Sequence, residues 1–215
     1  MKLLLTSGGL SNAAIVSALK SLCGKALTDA KVAFVPTAAN AEGGNKNWLL
    51  DDIERLRQAG WAWFDVVDPS AADVDWRPRL EAADIIYISG GNTFHLLNQA
   101  RQTGFFDWIS QHANDKVYVG SSAGSILLTP TIATANGADV NNANLQNLDA
   151  LNLVPFDFIP HVPSFIGMDQ AIAYSKTTDR EVYAVDDNTA IMVDDETTTV
   201  VGTGAWKLLK QGVEQ

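Results

Sequence analysis

The apolar positions of this chain fall into short unbroken runs, and the stretches between them carry helical spacing. Residues 3–6, 32–36, 61–67, 85–88 and 117–119 are near-continuous apolar runs, with Thr6 and Asp65 the exceptions, as strands covered on both faces are. Between them, Ile15, Leu19, Leu22 and Cys23 fall on one helical face, with Ser11 or Asn12 as cap and Gly24 as stop. Residues 47–59 repeat the pattern with Leu49, Ile53 and Leu56 inward and Gly60 after them. A helix follows residues 89–93 and carries Phe94, Leu96 and Leu97, and another covers 105–113. Strands alternating with helices predict an α/β fold, a mostly parallel sheet with helices on both faces. Its ligands belong at the carboxyl ends of the strands. Residues 37–40, 90–93 and 122 all fall at such ends.

The second half reads differently. Residues 129–155 are rich in Asn, Ala and Leu without clear period, and 141–144 read as a surface loop. A short strand over 156–161 ends at His161, and a helix covers 168–175. Short strands at 182–185, 190–193, 198–201 and 206–209 predict antiparallel hairpins at the edge of the sheet. No repeat or linker divides the chain, so one domain over 1–215 is expected.

The most informative local pattern is Gly120-Ser121-Ser122-Ala123-Gly124, placed between a β-branched run and an apolar helix. This is the G-x-S-x-G turn that holds a serine clear of the sheet above a helix N-terminus, and it makes Ser122 the candidate nucleophile. A serine hydroxyl needs a base. His95 lies in a helix, and His112 beside Asn114 and Asp115 reads as a solvated surface residue. His161, flanked by Pro160 and Val162-Pro163 at a strand end, is the candidate base. An acid must then hold the imidazole. Asp186 and Asp187 follow a strand, and adjacent residues point oppositely, so at most one of the two faces the site. Oxyanion donors are expected from the Ala123 amide and the Gly90-Gly91-Asn92 turn.

Composition narrows the partners. The chain has 215 residues, 47% hydrophobic and 19% charged, with a net charge of −10. Its pI of 4.6 disfavours nucleic acid and anionic membrane surfaces. One cysteine, Cys23, reads as mid-helix; it excludes an internal disulfide and points to a reducing compartment. The short N-terminal apolar run reads as a strand rather than a signal peptide, and no run reaches the roughly 20 residues of a membrane span. A cytoplasmic protein, a monomer or homodimer, is expected. No metal-ligand spacing is present, and neither metal nor other cofactor is expected.

Taken together, Ile88-Ser89-Gly90-Gly91-Asn92-Thr93-Phe94, the Gly120–Gly124 turn and Pro160-His161, in that order, resemble the peptidase E (aspartyl dipeptidase) family, which includes the cyanophycinases. The resemblance covers most of the chain. It implies a fold similar to class I glutamine amidotransferases, and a serine peptidase with Ser122 as nucleophile, His161 as base, and Gly91 and Ala123 as oxyanion donors. The family's acid, often a glutamate, falls at Asp187, with Asp186 as the fallback. The family's arginine-bearing segment after the histidine is absent, since no Arg or Lys follows His161 before Lys176. Asn92, Thr93 and Ser164 are left as polar side chains for substrate contact. The expected activity is a dipeptidase acting on small peptides through an acyl-enzyme. The rivals are a cyanophycinase-like enzyme, an esterase-type acyl hydrolase and a non-catalytic binding protein on the same fold. Residues 129–155 are a candidate lid.

Overall fold

The computed structural model describes residues 1–215. The chain opens with β1 (Lys2–Thr6), α1 (Ala13–Cys23), β2 (Lys31–Val35), the single turn α2 (Thr37–Asn40) and α3 (Asn47–Gln58). It continues through β3 (Trp63–Val66), α4 (Arg77–Glu81), β4 (Ile85–Ile88), α5 (Thr93–Thr103), α6 (Phe105–Gln111), β5 (Val117–Ser121) and α7 (Ala123–Leu127). The second half holds β6 (Asp157–Ile159), α8 (Met168–Ser175), β7 (Val182–Val185), β8 (Thr189–Asp194), β9 (Thr197–Gly202), β10 (Trp206–Lys210) and β11 (Val213–Glu214).

Seven strands form the main sheet in the order β3-β2-β4-β5-β1-β8-β9, parallel up to β1 and antiparallel beyond it. Leu3, Leu5, Ile86, Ile88 and Tyr118 enter the larger core on one face, with α5, α6 and α7. Leu4, Ile85, Tyr87, Val117 and Val119 enter the core beneath α1 and α3. Alternation along a strand sends successive side chains to opposite faces, so runs apolar at every position are what two covered faces require. At α1 the Asn12 side chain accepts from the Ala14 and Ile15 amides, and Gly24 closes the helix at φ +68°.

Several expectations are corrected. The C-terminal strands do not all extend one sheet. β8 and β9 do, but β7, β10 and β11 join β6 in a second sheet ordered β11-β10-β7-β6. Its β6–β7 pair is parallel, across an α8 crossover that residue patterning alone does not reveal. β3 is a short edge strand with Trp63 and Val66 exposed. In α3 the buried residues are Asp52 and Leu56, with Leu49 and Ile53 only half-buried. Cys23 is the last residue of α1, not mid-helix. His112 is half-buried rather than a free surface residue: its ring stacks on Trp108 at 4.4 Å and its Nδ1 donates to the Trp108 carbonyl. No helix is long and apolar enough to cross a membrane.

Candidate active site

Ser122 sits between the end of β5 and the start of α7 at φ +50° and ψ −109°, a backbone that non-glycine residues rarely adopt. Close packing enforces it. A Cβ on Gly120 would lie 2.4 Å from the Ser125 nitrogen, and one on Gly124 would lie 2.0 Å from the Ile88 carbonyl oxygen. Thr6, at the end of β1, clamps the turn. Its carbonyl accepts from the Ser122 amide (3.0 Å) and the Ser125 hydroxyl (2.8 Å), and its own hydroxyl donates to the Gly120 carbonyl (2.7 Å).

His161 follows β6, so it reaches the main sheet from the second one. Its backbone is also left-handed, at φ +61°. Its Nε2 accepts from the Ser122 hydroxyl at 2.8 Å, and its Nδ1 donates to Asp187 Oδ1 at 2.5 Å. The carboxylate has no proton to give, so the acceptor at Nδ1 fixes the tautomer that leaves Nε2 free to take the serine proton. The His161 imidazole holds the Asp187 carboxyl down at about 2, assisted by Ser7 and Ser164 against a smaller opposing effect of burial.

The two aspartates divide as opposite-pointing neighbours must. Asp186 accepts from the Asn188 amide and the Thr189 hydroxyl through Oδ1 and from the Ala205 amide through Oδ2. It ties the turn together and does not touch His161. Ser7, which residue patterning did not single out, supports the relay from the end of β1. Its hydroxyl donates to Asp187 Oδ1 at 2.8 Å and accepts from the His161 amide at 2.9 Å. Ser164 is exposed, 3.3 Å from Asp187 Oδ2 and 3.2 Å from the His161 carbonyl. Ser7→Ala is expected to lower kcat about tenfold, the worth of one charge-assisted hydrogen bond, with little change in KM. Steady-state kinetics with an unaltered kcat would remove Ser7 from the relay.

Gly91 stands beside the turn at φ +131°, where a Cβ would come within 2.4 Å of the Ala38 carbonyl. Neither the Gly91 nor the Ala123 amide donates to an acceptor within the chain, whereas the Asn92 amide donates to the Ala38 carbonyl at 3.0 Å. Asn92 and Thr93, expected to meet substrate, are turned into the fold. Asn92 caps α5 through the His95 amide and donates to the Val140 carbonyl. The Thr93 amide donates to Asp139. These bonds fasten residues 139 and 140, inside the candidate lid, to the start of α5. No three His, Cys, Asp or Glu side chains converge as a metal site needs.

The arrangement joins a strained serine, an oriented imidazole, an ionised carboxylate and two unengaged amides at the carboxyl ends of parallel strands. The sequence profile of Peptidase family S51 matches residues 3–201. The chain belongs to that family. It is a serine-type peptidase. An uncharacterized peptidase of Pasteurella multocida is 33% identical over 177 residues, covering 80% of this chain and 84% of its own. An uncharacterized peptidase of Listeria monocytogenes is 32% identical over 174 residues, covering 75% of this chain and 81% of its own. Peptidase E of Escherichia coli is 42% identical over a shorter stretch of 97 residues, 45% of this chain and 38% of its own. The crystal structure of a peptidase E candidate from Listeria monocytogenes EGD-e superposes with a TM-score of 0.79 at 27% identity, over 94% of this chain and 98% of that one. A peptidase from an acI-B1 actinobacterium shares the fold, with a TM-score of 0.69 at 23% identity over 100% of this chain and 92% of that one.

Proposed function

We propose that this S51 peptidase is a dipeptidase acting through a Ser122–His161–Asp187 triad and an acyl-enzyme. Ser122 Oγ attacks the scissile carbonyl while His161 Nε2 takes its proton, and the imidazolium then gives that proton to the departing amine. Water, deprotonated by the same nitrogen, releases the acyl group. Asp187 holds the imidazole in the productive tautomer and balances its charge. The Gly91 and Ala123 amides receive the developing oxyanion. The observation that carries the reading is the continuous hydrogen-bonded line from Ser122 through His161 to Asp187, set on a nucleophile turn with positive φ.

The dipeptidase part leans on the peptidase E resemblance. It is tested by supplying dipeptides with acidic and neutral first residues, together with their N- and C-extended forms. Dipeptides are expected to be cleaved and the extended peptides spared. Efficient cleavage of internal bonds in long peptides would overturn it. Labelling of Ser122 by a fluorophosphonate, located by mass spectrometry, tests the nucleophile separately.

A further inference from the structure

The triad leaves one wall of the cleft unused. His161 arrives from the layer beside α7, whereas α3 covers the other face of the sheet. Trp48, Asp52 and Arg55, four and then three residues apart, share one side of that helix. The Trp48 ring lies 3.9 Å from where a Cβ on Gly90 would stand, and that same point is 3.3 Å from the Ser122 Cβ. The wall therefore reaches the nucleophile.

Asp52 is the unexplained residue in it. It is only 5% exposed, and its Oδ1 accepts from the Tyr87 hydroxyl at 2.7 Å. The Ser121 hydroxyl adjoins Tyr87, one residue before the nucleophile in the chain. Gly9 closes over the pair. A Cβ there would lie 2.2 Å from Asp52 Oδ1 and 2.6 Å from the Tyr87 oxygen. Oδ2 accepts no hydrogen bond within the chain, yet it is not among the buried atoms sealed without a partner. Arg55 makes no hydrogen bond to it and gives its Nη1 to the Gly8 carbonyl at 3.2 Å, so its charge acts on the carboxylate only from a distance. A desolvated carboxylate without a direct ion pair is destabilising, and such groups concentrate at sites of function. Burial pushes the Asp52 carboxyl up to about 6, with the Tyr87 hydroxyl and Arg55, the ionisable groups acting on it, opposing the rise.

We propose that Asp52 is the anionic floor of a subsite for a cationic nitrogen on the acyl side of the scissile bond, either the substrate's α-ammonium or the end of a basic first side chain. This rests on the serine-peptidase mechanism above. That mechanism puts the leaving amine on the His161 side and so leaves the acyl half facing α3. Oδ2 is the free acceptor, and the incoming cation supplies the direct ion pair that Arg55 does not make.

Two matched pairs of p-nitrophenyl esters test it. Alanyl against propionyl isolates the α-ammonium, and Nα-acetyl-lysyl against Nα-acetyl-norleucyl isolates the side-chain ammonium. The wild type is expected to favour the charged member of one pair by about tenfold or more in kcat/KM. Asp52→Asn, which keeps the shape and the acceptor for Tyr87, is expected to erase that preference and leave the uncharged esters within about twofold. The preference should rise as pH passes about 6 in the wild type and stay flat in Asp52→Asn. Tyr87→Phe keeps the carboxylate and should keep the preference. Absence of preference in both pairs overturns the proposal, as does a preference that survives in Asp52→Asn. So does equal slowing of all four esters by Asp52→Asn, which would make the carboxylate a support for the Ser121–Ser122 turn alone. If no ester is cleaved and Ser122 resists fluorophosphonate, the catalytic mechanism itself fails and the subsite with it. In every other outcome labelling of Ser122 persists, so the two failures are distinct.

Discussion

Replacing Ser122 with alanine is expected to lower kcat by about a million-fold, as loss of a serine nucleophile does in enzymes whose triad acts as a unit. No neighbouring group can substitute. The Ser125 hydroxyl is fully buried and donates to the Thr6 carbonyl. Ser121 points beneath the turn toward Tyr87. Cys23 ends α1, and burial pushes its thiol up, away from the reactive thiolate. The fold should survive, because the backbone of residue 122 keeps its bonds to Thr6, Ser125 and Ile126. Calorimetry should place the midpoint within about 3 °C of wild type, since the lost side chain fills no core space. Retention of more than a few per cent of wild-type turnover in a clean preparation would place the nucleophile elsewhere.

Asp187→Asn is expected to lower kcat by about ten thousand-fold while KM changes little. The amide can present its NH₂ to Nδ1, which favours the tautomer with the proton on Nε2, the wrong one for accepting the serine proton. The same variant should alter stability in acid. The folded carboxyl sits at about 2, below its ordinary 3.8. A depressed carboxyl contributes stability that is fully present above the unfolded value and is lost as pH falls through the folded one. The wild type should therefore lose this contribution between about pH 4 and pH 2, and Asp187→Asn should not. Asp186→Asn is the control. It loosens the turn held by Asn188, Thr189 and Ala205 and should affect stability more than kcat. A kcat loss at Asp186 matching that at Asp187 would contradict the division of labour between the two side chains.

Local chemistry determined much of this protein in advance. Apolar runs at every position encode strands covered on two faces, and glycines at 120 and 124 encode a turn too tight for a Cβ. Asn12 and Gly24 bound their helix because capping depends on neighbouring backbone amides and carbonyls. His161 and the Asp186-Asp187 pair stood out by position just past strand ends, and the family resemblance, not local geometry, favoured Asp187 over Asp186. Tertiary structure alone decided the rest. Whether β7 pairs with β8 or leaves for β6 depends on long-range register, so the second sheet could not be read from strand content. Ser7 joins the relay across 154 residues, and nothing in Thr6-Ser7-Gly8 records that partner. Asn92 looked available for substrate until residue 140 folded onto its amide. Asp52 is taken out of water only by the packing of α3 against Tyr87 and Gly9, which no neighbour of Asp52 in the chain encodes. Backbone geometry and hydrophobic period are properties of adjacent residues, whereas the desolvation and pairing of a polar side chain belong to whichever segments meet around it.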